Sequence, residues 1–71
     1  MVRQGSIGVY VCILQDALNI VGGTTLSIDG IFGPLTGARV RIFQALNRLS
    51  ADGVVGCATW QALTSQAVGR G

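Results

Sequence analysis

The eight residues Asp29–Thr36, D-G-I-F-G-P-L-T, decide the fold, because they return as Asp52–Thr59, D-G-V-V-G-C-A-T. Asp, Gly, Gly and Thr recur at the same four places, and the two positions after the first glycine are apolar in both copies. An aspartate before a glycine accepts a backbone N–H two residues on, while the glycine supplies the positive φ of a tight turn. The second glycine, Gly33 or Gly56, suits the N-cap of a following helix. Pro34 then takes the first helical position, where its missing N–H costs nothing. Thr36 and Thr59 fall in that first turn, where a hydroxyl bonds back to the loop. Each copy therefore predicts a turn, a two-residue apolar plug and a helix start.

Working outward, three helices flank and follow the two motifs. The loop Gln4–Gly8, with Ser6 as the cap, leads into a first helix from about Val9 to Asn19 or Ile20. Val11, Leu14 and Leu18 share one face, Gln15, Asp16 and Asn19 form a polar strip, and most of the remaining circumference is apolar. A helix this apolar is usually buried on more than one side. In so small a domain that suggests a contact outside the chain.

Leu26-Ser27-Ile28 reads as a short extended piece. The second helix runs from Pro34 to about Asn47, which in a left-handed conformation would end it. Its periodicity puts Gly37, Arg41, Gln44 and Arg48 on one side and Leu35, Ala38, Ile42 and Leu46 on another, with Arg39, Val40 and Phe43 beside the latter. The third helix, about Cys57 to Ser65, carries Trp60 and Leu63 inward, and 66–71 reads as a loose tail. The expected fold is all-α: one domain over 1–71 with its core in 5–63, a compact three-helix bundle with long, ordered connections.

Composition narrows the function. The 71 residues are 49% hydrophobic and 11% charged, with mean hydropathy +0.56, which argues against disorder. No apolar run approaches the roughly 18 residues of a membrane span. The N-terminus shows no basic, hydrophobic signal peptide, which reads as a mature or excised module or an intracellular protein. Five Arg against three Asp, with no Lys, Glu or His, gives a net charge of +2. A nucleic-acid surface needs a denser basic patch with interleaved aromatics. Without His the two cysteines assemble no zinc set, and no cofactor is expected. Cys12 and Cys57 read either as a disulfide or as two small apolar residues. Acid–base or triad chemistry has almost no parts here, since only Asp29 and Asp52 offer a carboxylate pair and both look locked in turns.

The ordered motifs G-S-x-G-x-Y-V-x-x-L-Q-x-x-L-N (Gly5–Asn19), D-G-I-F-G-P-x-T (Asp29–Thr36), V-x-x-F-Q (Val40–Gln44) and D-G-V-V-G-x-x-T-W-x-A-L (Asp52–Leu63) resemble the type 1 peptidoglycan-binding domain. This is the three-helix module of bacterial cell-wall hydrolases and phage lysins. The resemblance implies a non-catalytic module, extracellular or in the cell wall, that binds peptidoglycan and anchors a tethered or neighbouring hydrolase, raising its local substrate concentration. The sequence departs from the family pattern at Val9 and Cys57, where proline is common, and at Arg48, where glycine often closes helix two. Cys12, Ile13, Leu35 and Ile42 are apolar where outward positions are usually polar.

Asp29, Gly30, Gly33 and Thr36, with Asp52, Gly53 and Thr59, read first as turn architecture. Together with Ile31 and Phe32 they also border a shallow groove at the two motif turns and the starts of helices two and three. Backbone amides at helix N-termini there suit the carboxylates and carbonyls of a wall stem peptide. Phe32 and Trp60 divide between core and sugar-stacking roles. Arg41, Gln44 and Arg48 read as a solvated face or as a contact for anionic wall polymer. Gln15 and Gln44 are also expected to bond loop backbone. The alternative function is a protein–protein, regulatory or prodomain module that uses the apolar outer faces of helices one and two, including self-association.

Overall fold

A computed structural model of the chain describes residues 1–70, with side chains through Gln66. Three helices, α1 (Val9–Gly22), α2 (Pro34–Leu46) and α3 (Cys57–Arg70), fill a body of 26 × 25 × 18 Å in which α1 packs on both others. The core takes Val11, Leu14 and Leu18 from α1, Val40 and Phe43 from α2, and Leu63 from α3. Phe32 and Val55 plug it from the two motif turns, and Val2 closes it from the N-terminal segment. The plug is one residue per motif rather than two. In extended backbone neighbouring side chains point to opposite faces, so Ile31 is exposed and Val54 half-exposed.

The seam joining the two motifs was not legible in the sequence. Residues 2–8 run antiparallel past both turns, with isolated bridges Val2–Val55 and Ile7–Ile31. Val2 and Val55 exchange N–H···O bonds of 3.2 and 2.7 Å. The Gly5 and Gly8 N–H groups donate to the Phe32 and Gly30 carbonyls at 3.0 and 2.9 Å, and Phe32 N–H donates to Ser6 O at 2.9 Å. Ser6 is therefore not the cap of α1. Its hydroxyl accepts the Arg3 N–H at 3.1 Å, while Gly8 at φ 124 holds the N-cap.

Helix ends differ from expectation in three further places. α1 continues to Gly22 and stops at Gly23, which is left-handed at φ 66. α3 extends past Ser65 to Arg70, so most of the segment expected to be a loose tail is helical; Gly71 lies outside the described residues. Asn47, at φ −101, does not end α2 by turning left-handed. Its amide is committed elsewhere, donating to Phe43 O at 2.9 Å and accepting from Gln66 Nε2 at 2.6 Å.

The left-handed residue after α2 is Arg48, at φ 60. Arg48 N–H donates to Ala45 O at 3.2 Å and Leu49 N–H to Gln44 O at 2.8 Å, the paired bonds of a Schellman ending. Glycine fits that position without strain, whereas a residue with a Cβ pays about 1–2 kcal/mol in the left-handed region. Arg48→Gly is expected to stabilise the domain by about 0.5–1 kcal/mol after the looser unfolded chain is counted. That is a rise in Tm of roughly 4 °C, read by circular dichroism. A lower Tm would show that the arginine makes compensating contacts.

Candidate functional site

Each motif is tied to the preceding helix by one buried glutamine, forming a polar knot. Gln15, 1% exposed on α1, donates from Nε2 to Asp29 Oδ1 (3.0 Å), Ile31 O (3.0 Å) and Thr36 Oγ1 (3.2 Å), and its Oε1 accepts the Gly30 N–H at 3.1 Å. Gln44, also 1% exposed, repeats this on α2. Its Nε2 donates to Asp52 Oδ1 (3.2 Å), Val54 O (2.9 Å) and Thr59 Oγ1 (3.2 Å), and its Oε1 accepts the Gly53 N–H at 3.0 Å. Two N–H donors serve three acceptors in each case, so one bond is shared. Among the described residues, no buried side-chain nitrogen or oxygen lacks a partner.

These knots correct the helical-wheel expectations. Both glutamines bond loop backbone, as expected, but Gln44 does not belong to a solvated face with Arg41 and Arg48. Satisfying each amide requires the glutamine face to turn inward, which sets the rotation of the helix about its axis. On α2 that rotation buries Thr36, Gly37, Val40, Phe43 and Gln44. It leaves Leu35 and Leu46, 77% and 78% exposed, with Ile42 on the outside.

Each aspartate closes its own turn. Asp29 Oδ1 accepts the Ile31 N–H at 3.0 Å, and Asp52 Oδ1 the Val54 N–H at 2.9 Å. Those backbone donors come first among the causes that hold both carboxyls below the ordinary carboxylate value. The Gln15 amide adds to the effect at Asp29 and the Gln44 amide at Asp52, while desolvation opposes it at both. A carboxyl with a depressed folded pKa contributes stability that is present above its unfolded value, near 3.8, and is lost as pH falls through the folded one. With no histidine or glutamate in the chain, Tm is expected to stay level from about pH 5 to 7 and to fall below about pH 4. In Asp29→Asn/Asp52→Asn, which keeps both Oδ1 acceptors, that acid limb should flatten. An unchanged limb would place the acid sensitivity elsewhere.

The knots open onto the surface. A groove of about 360 Å³ lies beside the first, between the 25–29 loop and the start of α2, lined by Leu26, Asp29, Ile31, Gly33, Leu35 and Arg39 among others. A second depression of about 440 Å³ adjoins the second knot. A third, about 200 Å³, lies between the turns, where Arg3, Arg41, Phe32 and Gly53 meet. Arg41 lies across Gly53, its Nη1 3.2 Å from where a Cβ there would stand.

The expected site residues thus divide. Asp29, Ile31 and Gly33 line the first groove, Asp52 the second depression, and Arg41 the space between the turns. Gly30, Phe32, Thr36, Gly53, Thr59 and Gln44 are buried; the knots use polar groups of all but Phe32, and Thr36 also borders the first groove, as Gln44 and Thr59 do the second depression. Phe32, 1% exposed, is core, and Trp60 is half-buried against the core. Cys12 and Cys57 are free thiols, not a disulfide. Sequence reasoning missed Arg39 and Leu26 as groove residues. Arg39 sits three residues after Thr36, close to one helical turn, but periodicity alone had not shown which way that side of α2 faces.

A three-helix body closed by two glutamine-tied Asp-Gly turns thus carries arginines and apolar walls beside both turns. Residues 8–63 match the family described as "Putative peptidoglycan binding domain", and the chain belongs to that family. It is 44% identical over 61 residues to the zinc D-Ala-D-Ala carboxypeptidase of Streptomyces albus G, a match spanning 80% of this chain and 23% of that protein. A Kitasatospora aureofaciens protein encoded in the bpoA1 3′ region is 42% identical over 55 residues, 78% of this chain and 44% of its own length. The crystal structure of a Burkholderia AP3 phage endolysin superposes with a TM-score of 0.84 at 42% identity, over 90% of this chain and 24% of the endolysin. The chain thus spans about a quarter of the carboxypeptidase and of the endolysin. No helix among the described residues is long and apolar enough to cross a membrane.

Proposed function

We propose that this chain binds bacterial cell-wall peptidoglycan without cleaving it and holds an associated wall-degrading enzyme against its substrate, outside the cell or in the wall. The observation that carries this reading is the groove beside the first knot. Arg39 offers a charge for a carboxylate, and Leu26, Ile31 and Leu35 offer apolar contact for short side chains. That combination suits the stem peptide, with the glycan as an adjoining contact. Membership of the peptidoglycan-binding family supports it, as do two relatives named as a D-Ala-D-Ala carboxypeptidase and an endolysin. Both knot carboxylates are locked by hydrogen bonds, which supports a binding rather than a catalytic role.

Co-sedimentation with purified, insoluble peptidoglycan tests it. The protein is expected in the pellet at low salt, with no clearing of the suspension, and Arg39→Ala should shift it toward the supernatant. Full recovery of the unaltered chain in the supernatant would overturn the reading. Exposed Tyr10, Ile13, Ile42 and Leu46 on the outer faces of α1 and α2 favour a second reading, a protein–protein module. Concentration-dependent association in analytical ultracentrifugation, without wall binding, would establish it in place of the first.

A further inference from the structure

The second depression repeats the first. Gln44, Asp52, Val54, Gly56 and Thr59 line it, and they are the counterparts of Gln15, Asp29, Ile31, Gly33 and Thr36. The largest difference between matching knot bonds is 3.0 against 3.2 Å, in the glutamine-to-aspartate contact. Each depression also has one arginine in its lining, from unrelated sequence positions: Arg39 within α2 for the first, Arg48 just beyond α2 for the second.

Arg48 supplies the independent observation. It is the residue with a side chain that adopts positive φ among those described, at a helix ending that glycine fits without strain. A strained backbone position that persists points toward a role for the side chain it carries. Here that residue lines the second depression and carries a guanidinium, which glycine would not.

We propose that the second depression is a second binding site for the same ligand chemistry, a short peptide bearing a free carboxylate, so that one chain engages two stem peptides. The proposal rests on the peptidoglycan reading of the first groove. The second site is the weaker, because Ala58 stands where the first groove has the exposed Leu35, and Val54 is half-buried where the first exposes Ile31. Two weak sites on one rigid body gain by avidity on a wall that repeats its peptides, by a factor that reaches about a hundredfold or more where geometry permits both to engage.

The test is an amide-shift titration of the labelled chain with a soluble muramyl tetrapeptide, combined with wall co-sedimentation. Two saturating patches are expected, at residues 29–39 and at 48–59. Arg48→Gly, which relieves strain and so keeps the fold, should erase the second patch, leave the first, and weaken wall binding on the order of tenfold or more. Arg39→Ala should erase the first and leave the second. Shifts confined to residues 29–39, with wall binding unchanged in Arg48→Gly, would overturn the second site and leave the first standing. Shifts confined to 48–59 would overturn the two-site proposal and the first groove together. Neither shifts nor pelleting would overturn both.

Discussion

Gln15→Leu is expected to remove about 3–5 kcal/mol, a large share of the domain's stability. Leucine keeps the bulk but offers nothing to the Thr36 hydroxyl, the Ile31 carbonyl or the Gly30 N–H, all bonded to this one amide. Thr36 and Gly30 are buried and have little access to water in exchange. A buried polar group that loses its partner costs about 1–3 kcal/mol. Two of them, with part of the carbonyl's loss, come to about 3–5 kcal/mol. At roughly 0.05–0.15 kcal/mol per residue, a domain of this size has on the order of 4–10 kcal/mol in all. Gln44→Leu should behave alike, since its knot orphans Thr59 and Gly53. Urea unfolding measures the loss; less than about 1 kcal/mol in either variant would show that the knot is not what holds the turn to its helix.

Gly30→Val and Gly53→Val are expected to differ sharply although both glycines sit at φ +75. Valine resists the left-handed region in both. At Gly30 the new Cβ would also stand 3.1 Å from Cys12 Sγ and 3.3 Å from the Gly8 carbonyl oxygen. That oxygen cannot retreat, because it accepts the Val11 and Cys12 N–H groups that open α1. At Gly53 the near atoms belong to the Arg41 side chain, which is exposed and can swing away. Gly53→Val should therefore fold with a loss of about 2–3 kcal/mol, and Gly30→Val should not fold. Thermal melts decide it, and equal Tm values would show that backbone strain alone, without the clash, sets the cost.

The duplicated Asp-Gly motif was legible because its information is local. A carboxylate, a residue without Cβ and a proline each act within a few bonds, so turn, cap and helix start follow from spacing. The positions of α1, α2 and α3 and the inward Val11, Leu14, Leu18 and Leu63 came from the same kind of reasoning. Other features were not legible. Helical periodicity grouped Arg39, Val40 and Phe43 beside the arc of Leu35, Ile42 and Leu46 without showing where the burial divides; Val40 and Phe43 go inside, while that arc faces outward. Gln44 was grouped with Arg41 and Arg48 on a solvated face and lies inside. An apolar stripe favours an inward rotation, but a buried amide with four partners penalises every other one.

By itself the sequence determined three helices, two equivalent turns, the family pattern and the near absence of groups for acid–base chemistry. Tertiary structure alone decided which side of α2 is buried, how residues 2–8 sew the two turns together, and which arginine stands beside which depression. Those outcomes depend on partners 8–53 residues apart, from Gln44–Asp52 to Val2–Val55. Contacts at such separations leave no periodicity in the chain, because they exist only once the helices have docked.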